Sequence, residues 1–465
     1  MTPNHSSRRW LGYSVAALLM LSLVTTVGVL TAASQPTNPC VGTLTSPANG
    51  TTVISVQGMK FAGEDSGKKP ARLIGVGPTG EIEWVHKSGK KQNIVWSYDV
   101  DPLENGNLFV TATKQGSTVF YEFDPRTQER LWTEELGLID THDADLLPDG
   151  RILVANMRNY NETTGKNNDR IFIYNRTSGQ IDWEWRFANH YNQSVGGNYT
   201  DDWTHVNDVD RIATDRYLVS PRNFDQVIVV NRTTGEITRQ LGADDEFRVL
   251  KRQHNPTYLE GANGMPTVLV ADSEHDRIVE YAQDGDGWTQ TWAVGNGSVF
   301  DWPRDADRLP NGNTLIADSA NHRVIEVTPQ GGVVWEFYAP WLVYDVARIP
   351  YGDEPRGPTA REFDVPGMTR LTGAEPRSNE ELTQCDAVLS AFNTSKNIDR
   401  ETTTTRERQS TTTPKQDTVI ETATRNETNT VTEGFETTTA TGPGLGLASA
   451  ILSLIALSLL MLRRT

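Results

Sequence analysis

Residues 142–157 read HDADLLPDGRILVANM. A short alternating stretch, DADLL, runs into the turn PDG, where glycine tolerates φ > 0. RILVAN follows, rich in β-branched residues, as a second strand. The same grammar recurs as YDVDPLENGNLFVTAT from Tyr98, NDVDRIATDRYLVSPR from Asn207, HNPTYLEGANGMPTVLVADS from His254 and RDADRLPNGNTLIADS from Arg304. A degenerate sixth copy, YDVARIP, starts at Tyr344. The copies are separated by roughly 40 to 65 residues, the period of a propeller, array or solenoid.

Each unit continues with a third strand, such as DRIFIYNR or HRVIEVTP, a Gly-containing turn and a Trp-bearing fourth, such as IDWEWRF or VVWEFY. Short strands joined by tight turns form meanders, and no stretch of this region shows a helical period. About six four-stranded units predict an all-β six-bladed β-propeller. In such a fold the first strand of every unit lines a central channel. The residues that begin it, Tyr98, His142, Asn207, His254, Arg304 and Tyr344, meet at one mouth. The stretch WTHVNDVDRIATDRYLVSPRN, 203–223, reads as a hairpin whose turn, centred on Ala213 and Thr214, sets His205 opposite Arg222. Alternation along the strand sends Asn207 to the same side as His205.

Three histidines, His142, His205 and His254, thus converge with Arg222. A metal site is one use of three imidazoles, but a guanidinium beside them repels a cation. An anion suits the set better, because arginine offers a planar fork of donors for sulfate or phosphate. The other histidines carry less. His5 lies in the N-terminal tail, His86 in an early turn and His190 in the solvated insertion FANHYNQSVGGNYTDDWTH. His275 and His322, in ADSEHDRIVEY and ADSANHRVIEV, resemble the strand-stitching residues of NHL propeller repeats.

The chain has 465 residues, with 60 acidic against 43 basic and a net charge of −17. That balance excludes nucleic acid as a partner, since phosphate binding needs a basic face. An acidic surface favours solubility, including at high salt. Outside the repeats the composition changes. Residues 1–9 form a tail ending in Arg8 and Arg9, and residues 10–34 are uncharged and long enough to cross a bilayer, as an anchor or a removed signal sequence. Residues 35–68 are a lead-in, 69–390 the propeller, and 391–441 a Thr-rich disordered stalk. Residues 442–462 form a second transmembrane helix before the terminal tail 463–465. With both Arg pairs cytoplasmic, the termini lie inside the cell membrane and the propeller outside. Asn-X-Ser/Thr sequons recur in the body, among them Asn161, Asn175, Asn198, Asn231 and Asn296, and are available for a glycoprotein. Cys40 and Cys385 flank the propeller; a disulfide between them would close its ends, and two free thiols are the alternative.

The motifs HDADLLPDG, THVNDVD with LVSPRN, and QHNPTYLEG resemble those of the bacterial and archaeal arylsulfate sulfotransferases, over most of the span from about Lys69 to Tyr338. The terminal Pro-Gly, apolar run and arginines also resemble archaeal sorting signals. The family resemblance implies a sulfuryl transfer from an aryl sulfate to a phenolic acceptor, through a sulfohistidine and with ping-pong kinetics. It implies His254 as the nucleophile. His205, Arg222 and His142 would act with it as catalytic residues, and Asn207, with Tyr98 and Arg304 from the same ring, as substrate-binding residues. No cofactor is expected, because the ester carries its own activation, and no metal, because Arg222 beside the histidines repels a cation. The sequence departs from the family in two places. Cys40 to Lys69 is too short for the extra N-terminal β domain, and THDAD has one histidine where a pair is expected. A non-enzymatic propeller displayed on the surface for ligand or protein binding is the alternative, and a quinone- or metal-dependent propeller enzyme a third.

Overall fold

The structure, a computed structural model, describes residues 38–57, 71–89, 93–261, 264–363, 365, 367–374 and 376–393. The chain divides into two units, residues 1–408 and 409–465, and every described residue falls in the first. The expected spans 10–34 and 442–462, both tails and nearly all of the stalk lie outside the described residues. Among the described residues no helix is long and apolar enough to cross a membrane.

The fold is mostly β. Four antiparallel sheets follow the repeat simply. One contains Trp96–Pro102, Leu108–Lys114, Ser117–Asp124 and Glu129–Leu136, and the next Ala144–Leu146, Ile152–Asn156, Arg170–Asn175 and Gln180–Arg186. Then come Val206–Ala213, Arg216–Pro221, Gln226–Asn231 and Ile237–Gly242, and after them His254–Glu260, Pro266–Asp272, Arg277–Asp284 and Gly287–Val294. A fifth sheet, Pro303–Arg308, Thr314–Asp318, Arg323–Val327 and Val333–Tyr338, gains Val41–Leu44 on its outer edge. In the last sheet Leu342–Arg348 pairs with Thr52–Gln57, followed by Arg72–Val76 and Ile82–His86. Among the described residues the degenerate copy at Tyr344 therefore has no downstream strand partners of its own; the N-terminal strands complete it. Segment 35–68, expected as a lead-in, supplies two of the strands, because TVISVQ is buried throughout and pairs on both edges.

Side-chain alternation explains how the sheets stack. In Ile152–Asn156, Leu153 and Ala155 pack with Val209, Tyr217 and Val219 of the next sheet, whereas Ile152 and Val154 pack with Phe109 and Phe120 of the previous one. Six apolar clusters each join two neighbouring sheets, and the sixth returns from Ile54 and Val56 to Leu315 and Trp335. The outer strands are half-exposed, Glu129–Leu136 alternating residue by residue, while the inner strands are buried.

The inner strands are also joined through carboxylates. Asp345 Oδ2 accepts from Val100 N at 2.8 Å, Asp305 Oδ2 from Val346 N at 3.0 Å, and Asp145 Oδ2 from Arg211 N at 2.6 Å. Asp143 accepts from Val209 N in the same way. Each bond crosses from one sheet to its neighbour.

The all-β expectation needs one correction. Asn379–Ala391 is an α-helix, opened by a capping box between Ser378 and Glu381. Its apolar stripe is thin, with Leu382, Cys385 and Leu389 buried, so the periodicity is weak in the sequence. The Cys40–Cys385 disulfide ties this helix to the first described strand. His86 closes a strand rather than sitting in a turn, and packs on Phe123 with ring centroids 4.3 Å apart.

Candidate active site

The Val206 hairpin sets the geometry. Val206 pairs with Pro221, so His205 and Arg222 lie just beyond the last pair on opposite strands. The turn is one residue later than expected, at Thr214 and Asp215, and two register shifts within the hairpin restore the facing pair at the mouth. Pro221 ends the strand and Arg222 opens a one-turn 3-10 helix, Arg222–Phe224. Before the hairpin, the insertion is held by Trp203, which is fully buried, donates from Nε1 to Val195 O at 2.7 Å and packs against Tyr199 and Phe224. Thr204 Oγ1 donates to Asp169 Oδ2 at 2.7 Å, fixing the residue next to His205. His205 itself takes φ of +43°, a conformation that costs a non-glycine residue of order 1 kcal/mol and is retained where surroundings enforce it.

The three histidines come together. The rings of His142 and His205 are 5.1 Å apart, edge to face. Tyr344 lies between the groups: its ring is 5.4 Å from His142 and 6.2 Å from His254, and its hydroxyl is 3.1 Å from His142 Nδ1. Tyr98 stacks at 4.0 Å on His142 and donates to Asp140 Oδ1 at 2.6 Å. Arg304 lies over the rings of Trp302, at 3.7 Å, and Tyr344, at 5.2 Å. All the residues expected at the mouth are therefore in one cluster, including Asn207, which is fully buried and donates to Gln253 O at 2.9 Å.

Ser273 Oγ lies 2.8 Å from His254 Nδ1 and 3.3 Å from Ala271 O; with its hydroxyl on that carbonyl it accepts from His254 Nδ1–H, and the lone pair of His254 is on Nε2. His205 donates Nδ1–H to Asp202 Oδ1 at 2.7 Å, again leaving the lone pair on Nε2. That Nε2 is buried and has no hydrogen-bond partner among the described residues; neither has Asn207 Oδ1. Unpaired buried polar atoms are costly and point to a missing ligand.

Electrostatics keep the imidazoles neutral. Burial, then Arg304 and Arg222, push His254 well below its ordinary range. Burial and Arg222 do the same to His205 against the opposing pull of Asp202. Burial lowers His142, with Asp140 opposing. Burial also presses the guanidinium pKa values of Arg222 and Arg304 down to about 10. Arg304 forms no ion pair among the described residues and binds Gln57 Oε1 at 2.6 Å; Arg222 reaches Asp202 only at 4.0 Å. Two incompletely paired guanidinium groups beside three neutral imidazoles favour an anion, not a cation.

Several members of the cluster lie outside the aligned column of the repeat. Arg158 bridges Asp140, at 2.9 Å, and Asp202, at 3.2 Å. Burial pushes Asp202 up, but His205, Arg158 and Arg222 more than offset it and hold the carboxylate well below its usual range. Trp302 and Ser273 complete the set. Ser273 could have been found in the sequence: it opens the 3-10 helix Ser273–His275 at the place where Arg222 opens Arg222–Phe224. His322 bonds Trp341 O, 19 residues on, at 2.9 Å, as a stitching residue would, whereas the bond of His275 to Asp272 Oδ2 at 2.8 Å stays within its own turn. His190 stacks on Trp185 at 4.3 Å, away from the cluster.

No curated protein matches the chain. Among solved structures it is similar to a protein of unknown function from Bacteroides caccae, at 14% identity and TM-score 0.44 over 65% of this chain and 100% of that one. It is also similar to virginiamycin B lyase from Staphylococcus aureus, at 12% identity and TM-score 0.33 over 52% of this chain and 70% of that one. A third similarity is to hydrazine synthase from Kuenenia stuttgartiensis, at 12% identity and TM-score 0.35, covering 65% and 80%. The match that reaches the site is to a family: residues 57–254, a stretch that takes in His142, His205, Asn207 and Arg222 and ends on His254, match the arylsulfotransferase (ASST) family, which supports an arylsulfotransferase function in general.

Proposed function

We propose that the protein is an arylsulfate sulfotransferase working through a sulfohistidine on a six-bladed β-propeller. Six successive groups of at least four antiparallel strands, the first and last joined by one bridge between Gln57 and Trp96, with six apolar interfaces between them, support the blade count. The observation that carries the chemistry is the Ser273 bond, which leaves His254 Nε2 as the nucleophilic nitrogen.

In the first half-reaction the Nε2 lone pair attacks the sulfur of an aryl sulfate. The sulfur–aryl-oxygen bond breaks and a phenolate leaves. Arg222 and Arg304 face the charge spread over the sulfuryl oxygens, with Asn207 held beside them by its bond to Gln253 O; fixed donors like the two guanidinium groups commonly supply the largest stabilisation in group transfer. Nδ1–H stays on Ser273 and delocalises the charge on the sulfated ring. In the second half-reaction His205 Nε2 takes the proton of a phenolic acceptor, whose oxygen attacks sulfur while the nitrogen–sulfur bond breaks. The proton on His205 then passes to solvent or to the first phenolate. A neutral His205 at pH 7 suits a base.

The apolar segments 10–34 and 442–462 support a reading in which both ends tether the chain to the cell membrane, with the enzyme displayed outside. Intact-mass measurement after adding a nitrophenyl sulfate without acceptor tests the chemistry: about 80 Da should appear, on His254. No added mass, with an otherwise folded chain, would favour a binding propeller instead.

A further inference from the structure

One and three residues beyond the mouth positions, the inner strands carry a second ring of side chains. Asp99 and Asp101, Asp143 and Asp145, Asp208 and Asp210, and Asp305 and Asp307 all belong to it, and all are at most half-exposed. Six of them, all but Asp101 and Asp145, line a cavity to which, among the described residues, no basic side chain contributes. One part of this acidity has a structural explanation. Asp143, Asp145, Asp305 and Asp345 each use an oxygen to accept a backbone N–H from the neighbouring sheet.

Stapling does not explain the rest. Asp208 and Asp210 are 5% and 7% exposed, and Asp208 Oδ1 and Asp210 Oδ2 have no hydrogen-bond partner among the described residues. Asn255 Oδ1, a neutral oxygen lining the same cavity, is also buried and unpartnered. One oxygen each from Asp143, Asp208 and Asp210 lie within 4.8 Å of one another. Oxygens on a shared calcium ion are about 2.3–2.6 Å from it, so opposite ligands are separated by up to roughly 5 Å. Buried carboxylates without a counter-charge are costly, and hard divalent cations take oxygen donors of this kind.

We propose that this cavity binds one hard divalent cation, calcium by size, on Asp143, Asp208, Asp210 and the amide oxygen of Asn255. Asp143, Asp208 and Asn255 directly follow His142, Asn207 and His254, so the ion ties together three strands that carry the mouth. Its part is structural and separate from sulfuryl transfer. The expectation of no metal holds for the histidines, where arginine repels a cation, but not for this cavity, which no basic side chain lines among the described residues.

The test uses the full-length chain, stripped with EDTA and titrated with calcium chloride or magnesium chloride alone. Calorimetry should show about one calcium per chain. The melting midpoint should rise with calcium concentration, because the ion binds the folded state. Asp208→Asn and Asp210→Asn should lose binding and the calcium-dependent shift, yet melt no lower than the unmodified chain in EDTA, since each removes repulsion. Asn255→Ala, which changes no charge, should weaken binding, and it decides the matter if the Asp variants do not fold. Three outcomes would overturn the assignment: an unmodified chain that binds neither ion and melts alike in EDTA and calcium, binding of magnesium but not calcium, or all three variants binding calcium like the unmodified chain.

Discussion

The mouth of the channel and the ring just below it are built by the same strands yet hold opposite chemistry. At the mouth, the first repeat position supplies Tyr98, His142, Asn207, His254, Arg304 and Tyr344. Below it, the following positions supply mostly aspartate. The repeat unit therefore fixes where a side chain points, and the identity of each residue at that place fixes what the layer does. The mouth varies from sheet to sheet and collects nitrogen donors and acceptors. The ring below is nearly uniform and collects oxygen. An anion suits one layer and a cation the other.

The comparison can be broken first at His254. His254→Ala should lower turnover of a nitrophenyl sulfate on the order of 10³-fold or more, as for other nucleophiles acting within a unit. Turnover within a few-fold of the unmodified chain would remove His254 from the chemistry. Arg222→Gln comes next. Loss of one fixed donor to a developing charge typically costs about 10²–10³-fold in kcat, and steady-state kinetics with a phenolic acceptor will show whether kcat or KM carries the change. Ser273→Ala leaves both rings in place but frees the tautomer. A loss of roughly tenfold is expected, by analogy with groups that orient a histidine from behind, with restoration by Ser273→Thr.

A pH profile sharpens the same contrast. Burial and Arg222 set the folded pKa of His205 well below 6.5. The neutral base is therefore present at pH 7 and stays present as pH falls past 6.5; it is lost only near the lowered folded value. The acid limb of the second half-reaction should lie below pH 6.5, and a limb at or above 6.5 would contradict the assignment. The linked stability has the same sign: it is full above 6.5 and is lost as pH falls through the folded pKa. The smallest effect on turnover is expected at the periphery. Cys40→Ser with Cys385→Ser should cost about 2–4 kcal/mol of stability, read by denaturant unfolding, with activity at low temperature unchanged.

Much of this contrast was legible in the sequence. Alternation and turns gave the sheets, and the aligned column from Tyr98 to Tyr344 gave the mouth. Arg222 followed from antiparallel pairing with His205. Three things were hidden. Asp140, Asp202 and Arg158 lie in connections whose backbone is irregular, with Asp140 and Arg158 at φ of +59° and +55°, so no period could place them. The helix Asn379–Ala391 buries too few apolar residues to show a stripe. The partner of the Tyr344 copy lay at the far end of the chain, in a segment without the repeat's grammar.

That last pairing sets an order of events. Thr52–Gln57 is among the first strands made and Leu342–Arg348 the last, so the early strands have no central neighbour until nearly the whole body has emerged. Contacts so distant in sequence are slow to form and leave edges unpaired meanwhile. A nascent chain would have to shelter Thr52–Gln57 until residue 342 has been made, and a product stopped short of Leu342 would carry that open edge permanently.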